Sequence, residues 1–191
     1  FLRRIARVPV SSGQEYLALE ENMRQIKLGP INSADRTTVA SIKGDDRFEA
    51  LDRVTEGAGL REALESRLSE SGKAREDFRI AIKPNFMFSY SRHDPTTFTD
   101  PELVKHLARR LREMGFRDIS LVEAQSTYGE YFDRRSVTEM ADYLGFTDES
   151  LYRVVDLTEE AEGSRDFGPH LGEHPVPPTW RDADFRIDFA K

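Results

Sequence analysis

From Thr37 onward the apolar positions fall alternately into short strand-type runs and helical stripes. Thr37-Thr38-Val39-Ala40-Ser41-Ile42 reads as a strand ending at Gly44-Asp45. Phe48, Leu51 and Val54 then recur at three-residue steps, and Leu60, Ala63, Leu64 and Leu68 continue a second helix that stops at Gly72. Phe78–Ile82 is a strand broken by Pro84, which has no N–H for a ladder. Residues 85–99 make a long loop. The helix that follows has two equivalent starts. Thr99 and Glu102 form a capping box, or Asp100 caps with Pro101 in the first helical position. Leu103, Val104, Leu107, Ala108, Leu111 and Met114 line one face of this helix, and Gly115 closes it.

Ile119–Val122 is the next strand. Val137, Met140, Ala141 and Leu144 form a helical stripe closed by Gly145, and Tyr152–Leu157 is again a strand. An acidic stretch, Glu159 to Asp166, leads into a loop with Pro169, Pro175, Pro177 and Pro178, and Ala183–Phe189 forms the last strand. Residues 1–36 show no sustained period beyond a short strand near Ile5–Val10, and Gly13, Gly29-Pro30 and Asn32-Ser33 punctuate them. The expected organisation is an N-terminal extension, 1–36, and an α/β domain, 37–191. Alternating strands and helices predict a three-layer α/β fold, a mainly parallel sheet with helices on both faces (Rossmann-like). The last strand has no helix after it, so the pattern reads as cut short at its C-terminus.

Composition narrows the function classes. The 191 residues carry 28 basic and 35 acidic side chains, a formal net charge of −7, and no cysteine. A disulfide scaffold, a cysteine nucleophile, a thiolate zinc site and an iron–sulfur cluster ligated from this segment are thereby excluded. Negative charge without interleaved basic and aromatic residues argues against a nucleic-acid partner. No apolar run approaches the roughly 20 residues of a membrane span, and no signal peptide follows Phe1-Leu2-Arg3-Arg4. A cytoplasmic location is the default expectation. Of the basic residues 22 are Arg and 6 are Lys, a bias that genomic base composition explains.

Open α/β sheets bind ligands beyond the carboxyl ends of their strands. Four loops qualify: Lys83-Pro84-Asn85-Phe86, Glu123 to Tyr128, the loop after Leu157, and Ala190-Lys191. Lys83 offers a point charge for a carboxylate or phosphate and Asn85 a hydrogen-bonding amide, although Pro84 and Asn85 equally suit a plain turn. Glu123 is the candidate base or cation ligand, with Ser126, Thr127 and Tyr128 supplying hydroxyls beside it. Lys191 completes the ligand-binding set.

Metal binding is not expected. His170 and His174 lie among Gly172 and prolines, His93 in the long loop, and His106 on a polar helix face where solvation is the simpler account. Asp182, Asp184 and Asp188 suit a role in flanking and solubilising the last strand. The P-loop, the dinucleotide fingerprint and the Gly-x-Ser-x-Gly elbow are all missing: Gly57-x-Gly59 is followed by Glu62 at the third glycine position and is preceded by a helix.

Several segments together carry a family resemblance: Ile80 to Phe86 with its Lys-Pro-Asn, Thr99 to Val104 with its Thr-Asp-Pro-Glu, Met114 to Ile119, Val122-Glu123, Val154 to Leu157, and Ala183 to Ile187. Their order and spacing over roughly residues 37–191 resemble the uncharacterised prokaryotic family called domain of unknown function 362. The resemblance implies an α/β domain of bacterial type whose pattern runs on past Lys191. It also implies an association with ferredoxin-like iron–sulfur modules in several members, but no reaction and no defined cofactor. Two functions follow as expectations. One is an α/β domain that binds, and transforms, a small anionic metabolite at its strand ends. The other is a non-catalytic module serving an iron–sulfur or redox partner, with Glu159, Glu160, Glu162 and Asp166 as a docking patch.

Overall fold

Ile80–Pro84 (β1) and Ile119–Glu123 (β2) are buried on both faces and mostly apolar, as central strands of a parallel sheet are. The computed structural model describes residues 39–190, apart from 127, 128, 130–132, 161, 162 and 171, all within one unit spanning Val39–Lys191. The short strand expected near Ile5–Val10 lies outside the described residues.

Two helices precede the sheet. Arg47–Gly57 (α1) is capped by Asp46, whose carboxylate accepts from Glu49 N–H and Phe48 N–H. These two donors, that of Glu49 foremost, hold the Asp46 pKa below its ordinary value. Leu60–Ser71 (α2) follows, then a 3-10 turn at Arg75–Asp77 that leads into β1. Pro101–Glu113 (α3) crosses to β2, and Val137–Leu144 (α4) crosses to Arg153–Asp156 (β3). A short antiparallel hairpin, Ser164–Asp166 (β4) with Glu173–Pro175 (β5), and one helical turn, Pro178–Arg181 (α5), lead into Phe185–Phe189 (β6).

The main sheet runs β3-β2-β1-β6 and every pairing in it is parallel. The chain steps outward twice from β1 and then returns to its other side. That is the opening part of the doubly wound strand order, with the reversal between β1 and β6. The layers are unequal. Ile80, Ile82, Ile119 and Leu121 face a large core shared with α1 to α4, including Leu51, Leu64, Val104, Leu107, Leu111, Val137 and Met140. Ala81 and Val122 face a small one with Leu157, Ala183 and Trp180 of α5. Burying each large apolar side chain contributes roughly 1.5–3 kcal/mol, so most of the fold's cohesion lies on the first side.

Two expectations change, and one choice between two is decided. Residues 39–42 form no strand: Val39 is 87% exposed and no sheet edge takes the segment. Of the two starts read for α3, the structure takes the second: Asp100 is the cap, accepting from Glu102 N–H with Pro101 at the first turn. The acidic and Pro-rich stretch expected as loop carries the β4–β5 hairpin and α5, whose three- and four-residue runs are too short to leave a period. Gly115 (φ +97°) follows α3 and Gly145 (φ +86°) closes α4. At Gly115 a Cβ would stand 2.7 Å from Arg75 Cδ.

Candidate functional site

Parallel strands end together, so β1 and β2 deliver Lys83 and Glu123 to the same edge. Lys83 Nζ lies 3.2 Å from Glu123 Oε1 and 3.4 Å from Oε2. The Glu123 side chain is 7% exposed and that of Lys83 36%. Glu123 Oε1 also accepts from Ala124 N–H at 3.0 Å. The carboxylate is thus sequestered and held from two sides, while the ammonium keeps a solvent-facing flank and a third N–H.

Lys83, Asn85, Met87, Phe88, Glu123, Ala124, Gln125 and Ser126 line one hollow of about 280 Å³ at this edge. Four sequence-selected residues therefore meet there: Lys83, Asn85, Glu123 and Ser126. Thr127 and Lys191 lie outside the described residues. The Asn85 amide has no hydrogen-bond partner among the described residues, whereas its backbone is fixed: Asn85 N–H donates to Thr99 Oγ1 and Asn85 C=O accepts from Thr99 N–H.

Thr99 also donates its hydroxyl to Phe189 C=O at 3.1 Å, which ties the ends of β1 and β6 together. It thereby occupies the reversal point of the strand order, and the hollow opens one strand over, above β1 and β2. Beside it the segments that follow β2 and β3 are tied together. Leu157 N–H donates to Glu123 C=O, Gln125 N–H to Thr158 Oγ1, and Thr158 N–H to Asp156.

Sequence reasoning did not single out the wall formed by Met87 and Phe88. Arg135, just before α4, donates to Met87 C=O at 2.9 Å and to Ser89 C=O at 2.8 Å. Its guanidinium lies over the Tyr90 ring. Phe88 is 54% exposed between these two anchored carbonyls. Phe86, Phe88 and Tyr90 alternate in this loop, but the alternation does not separate the buried Phe86 ring from the exposed Phe88 and Tyr90 rings; Ala124 and Gln125 were within reach, inside the selected 123–128 loop.

Several polar residues serve structure instead. His106 is not simply solvated: its Nε2 lies 2.9 Å from Asp52 Oδ1 and its ring packs 5.2 Å from Phe48, joining α3 to α1. Asp184 does not merely solubilise the last strand. It takes both contacts of the Lys73 ammonium, at 2.8 and 2.7 Å, and accepts Arg79 N–H at 2.8 Å. Glu160 of the acidic run binds Thr179 N–H and hydroxyl at the start of α5. Among the described residues no group of three or more His, Asp or Glu could hold a metal ion, and no helix is long and apolar enough to cross a membrane.

A larger hollow, about 650 Å³, lies at the amino ends of β2 and β3. Its arginines are engaged internally: Arg153 with Asp118 at 3.1 Å, Arg112 with Leu151 C=O, and Arg117 with Arg112 C=O. It also lies at the end of the sheet opposite to where α/β folds hold ligands.

A family model described as domain of unknown function (DUF362) matches residues 80–191, from the first residue of β1 onward. The chain belongs to this family. The DUF362 match contains the whole parallel sheet and every described residue of the hollow, and Thr37 to Arg79 lie outside it. No curated protein and no solved structure matches the chain.

Proposed function

We propose that this DUF362 domain binds a small anionic metabolite at the carboxyl ends of β1 and β2. Lys83 and Asn85 orient the anion, and Glu123 serves as the base if the ligand is transformed. The observation that carries the reading is the shared hollow of Lys83, Asn85, Glu123 and Ser126. Lys83 can hold Glu123 with two N–H groups and present the third to a ligand, and the unpartnered Asn85 amide adds a second donor. The volume lies just below the roughly 300–1,000 Å³ of common ligand pockets, so the ligand is of metabolite size. A role for the domain as a docking module draws less support, because Glu160 of the acidic run is taken up by α5.

The test is calorimetric titration of the full chain with a panel of small carboxylates and phosphate monoesters. A ligand should bind wild type and lose about tenfold or more in affinity in Asn85→Ala and in Lys83→Met, on the scale of one lost charge-assisted hydrogen bond. Equal affinity in wild type and both variants removes these residues from the site.

A further inference from the structure

The charges that line the hollow restrict the kind of anion it takes. The described residues that line the hollow bring one cation, Lys83, and one carboxylate, Glu123, paired with each other. Arg135 does not line the hollow and its guanidinium engages backbone carbonyls. A ligand with negative charge alone, bound to the third N–H of Lys83, would set a second anion against the one ammonium that neutralises Glu123. Glu123 is 7% exposed and has no other charged partner among the described residues. Sharing that ammonium between two anions leaves the buried carboxylate undercompensated, which is unfavourable. A ligand that brings its own cation avoids this.

Resting on the anion-binding reading, we infer that the ligand is a zwitterion, such as an α-amino acid, with an ammonium adjacent to its carboxylate and an apolar side group. Its carboxylate sits on Lys83 and Asn85 and its ammonium on Glu123, so that four charges alternate in sign around one ring and the net charge of the hollow does not change on binding. Met87, Phe88 and Ala124 form the apolar wall. Phe88 is suited to that role because the carbonyls on either side of it are pinned by Arg135, so little ordering is required when a ligand covers its exposed ring.

Three probes with one ring and different charges test this: L-phenylalanine, 3-phenylpropanoate and phenethylamine, titrated into the full chain at pH 7 and fixed ionic strength. L-Phenylalanine should bind at least tenfold tighter than either of the others. In Glu123→Gln, which keeps the size of the side chain, affinity for L-phenylalanine should fall and that for 3-phenylpropanoate should rise. The wild-type ranking stands whether or not that variant folds. If 3-phenylpropanoate binds wild type as tightly as L-phenylalanine, the zwitterion is overturned and the anion reading survives. Binding of phenethylamine alone overturns both. If none of the three binds, the zwitterion is overturned, and the anion reading is decided by its own carboxylate and phosphate panel.

Discussion

The hydroxyl of Thr99 accepts the backbone N–H of Asn85 at 2.9 Å. It donates in turn to the carbonyl of Phe189, so one side chain that is 3% exposed joins the ends of two neighbouring parallel strands beside the candidate site. Thr99→Val keeps the shape but orphans both partners and should destabilise the fold by about 1–3 kcal/mol. Thr99→Ser should recover most of that. Urea denaturation checks it: the midpoint falls while the slope stays constant.

Lys83 and Glu123 should behave as a coupled pair. Lys83→Met leaves the sequestered carboxylate without its cation and should cost about 1–3 kcal/mol, less than a fully buried pair because the ammonium is partly in water. Replacing both residues, Lys83→Met with Glu123→Leu, should cost less than the sum of the single changes, with a coupling of about 0.5–3 kcal/mol. A double-mutant cycle by chemical denaturation measures it, and strict additivity would contradict the pairing.

Asp184 makes stability depend on acid. Burial pushes its pKa up, but the Lys73 hydrogen bond and the Arg79 N–H, with the charges of both residues, outweigh burial and leave it below its ordinary value. A carboxyl depressed on folding contributes stability that is fully present above its unfolded pKa, about 3.9, and is lost as pH falls through the lower folded value. Denaturation midpoints should therefore drop below about pH 4. Lys73→Met should lower stability at pH 7 by about 1–3 kcal/mol and flatten the acid limb. An acid limb unchanged by the substitution would show that Lys73 does not set the Asp184 pKa.

Arg135 should hold the Met87–Phe88 wall in place. With Arg135→Ala two carbonyls lose a charged donor, and amide exchange at Ser89, whose N–H bonds Phe86 C=O, should accelerate about tenfold, equivalent to about 1.4 kcal/mol of local opening. Global melting should change little. Hydrogen exchange followed by mass spectrometry reads both.

The strands and helices of the sheet were legible wherever burial imposes a period. The α3 stripe from Leu103 to Met114 and the α4 stripe from Val137 to Leu144 both pack as their spacing requires. Ser136 and Glu139 form a capping box at the start of α4, a start signal present in the sequence although the apolar stripe alone had located the helix. Thr99 shows the limit of such local rules. Its sequence neighbours make it a good cap, yet Asp100 takes that place and Thr99 bonds Phe189, ninety residues away. The same limit applies to Asp184 and Lys73, which are 111 residues apart, and to His106 and Asp52.

By itself the sequence determined the order of the four sheet strands and of helices α1 to α4, the parallel class of the sheet, and the strand-end loops that hold Lys83, Asn85, Glu123 and Ser126. These follow from side-chain periodicity and from the geometry of parallel strands, both of which are local or class-wide. Only the tertiary structure decided that Lys83 and Glu123 neutralise each other, that Thr99 stitches β1 to β6, and that Arg135 fixes Phe88 at the rim of the hollow. Each of those depends on which distant segments the packed core brings within hydrogen-bonding distance, and no short-range pattern in the chain encodes that distance.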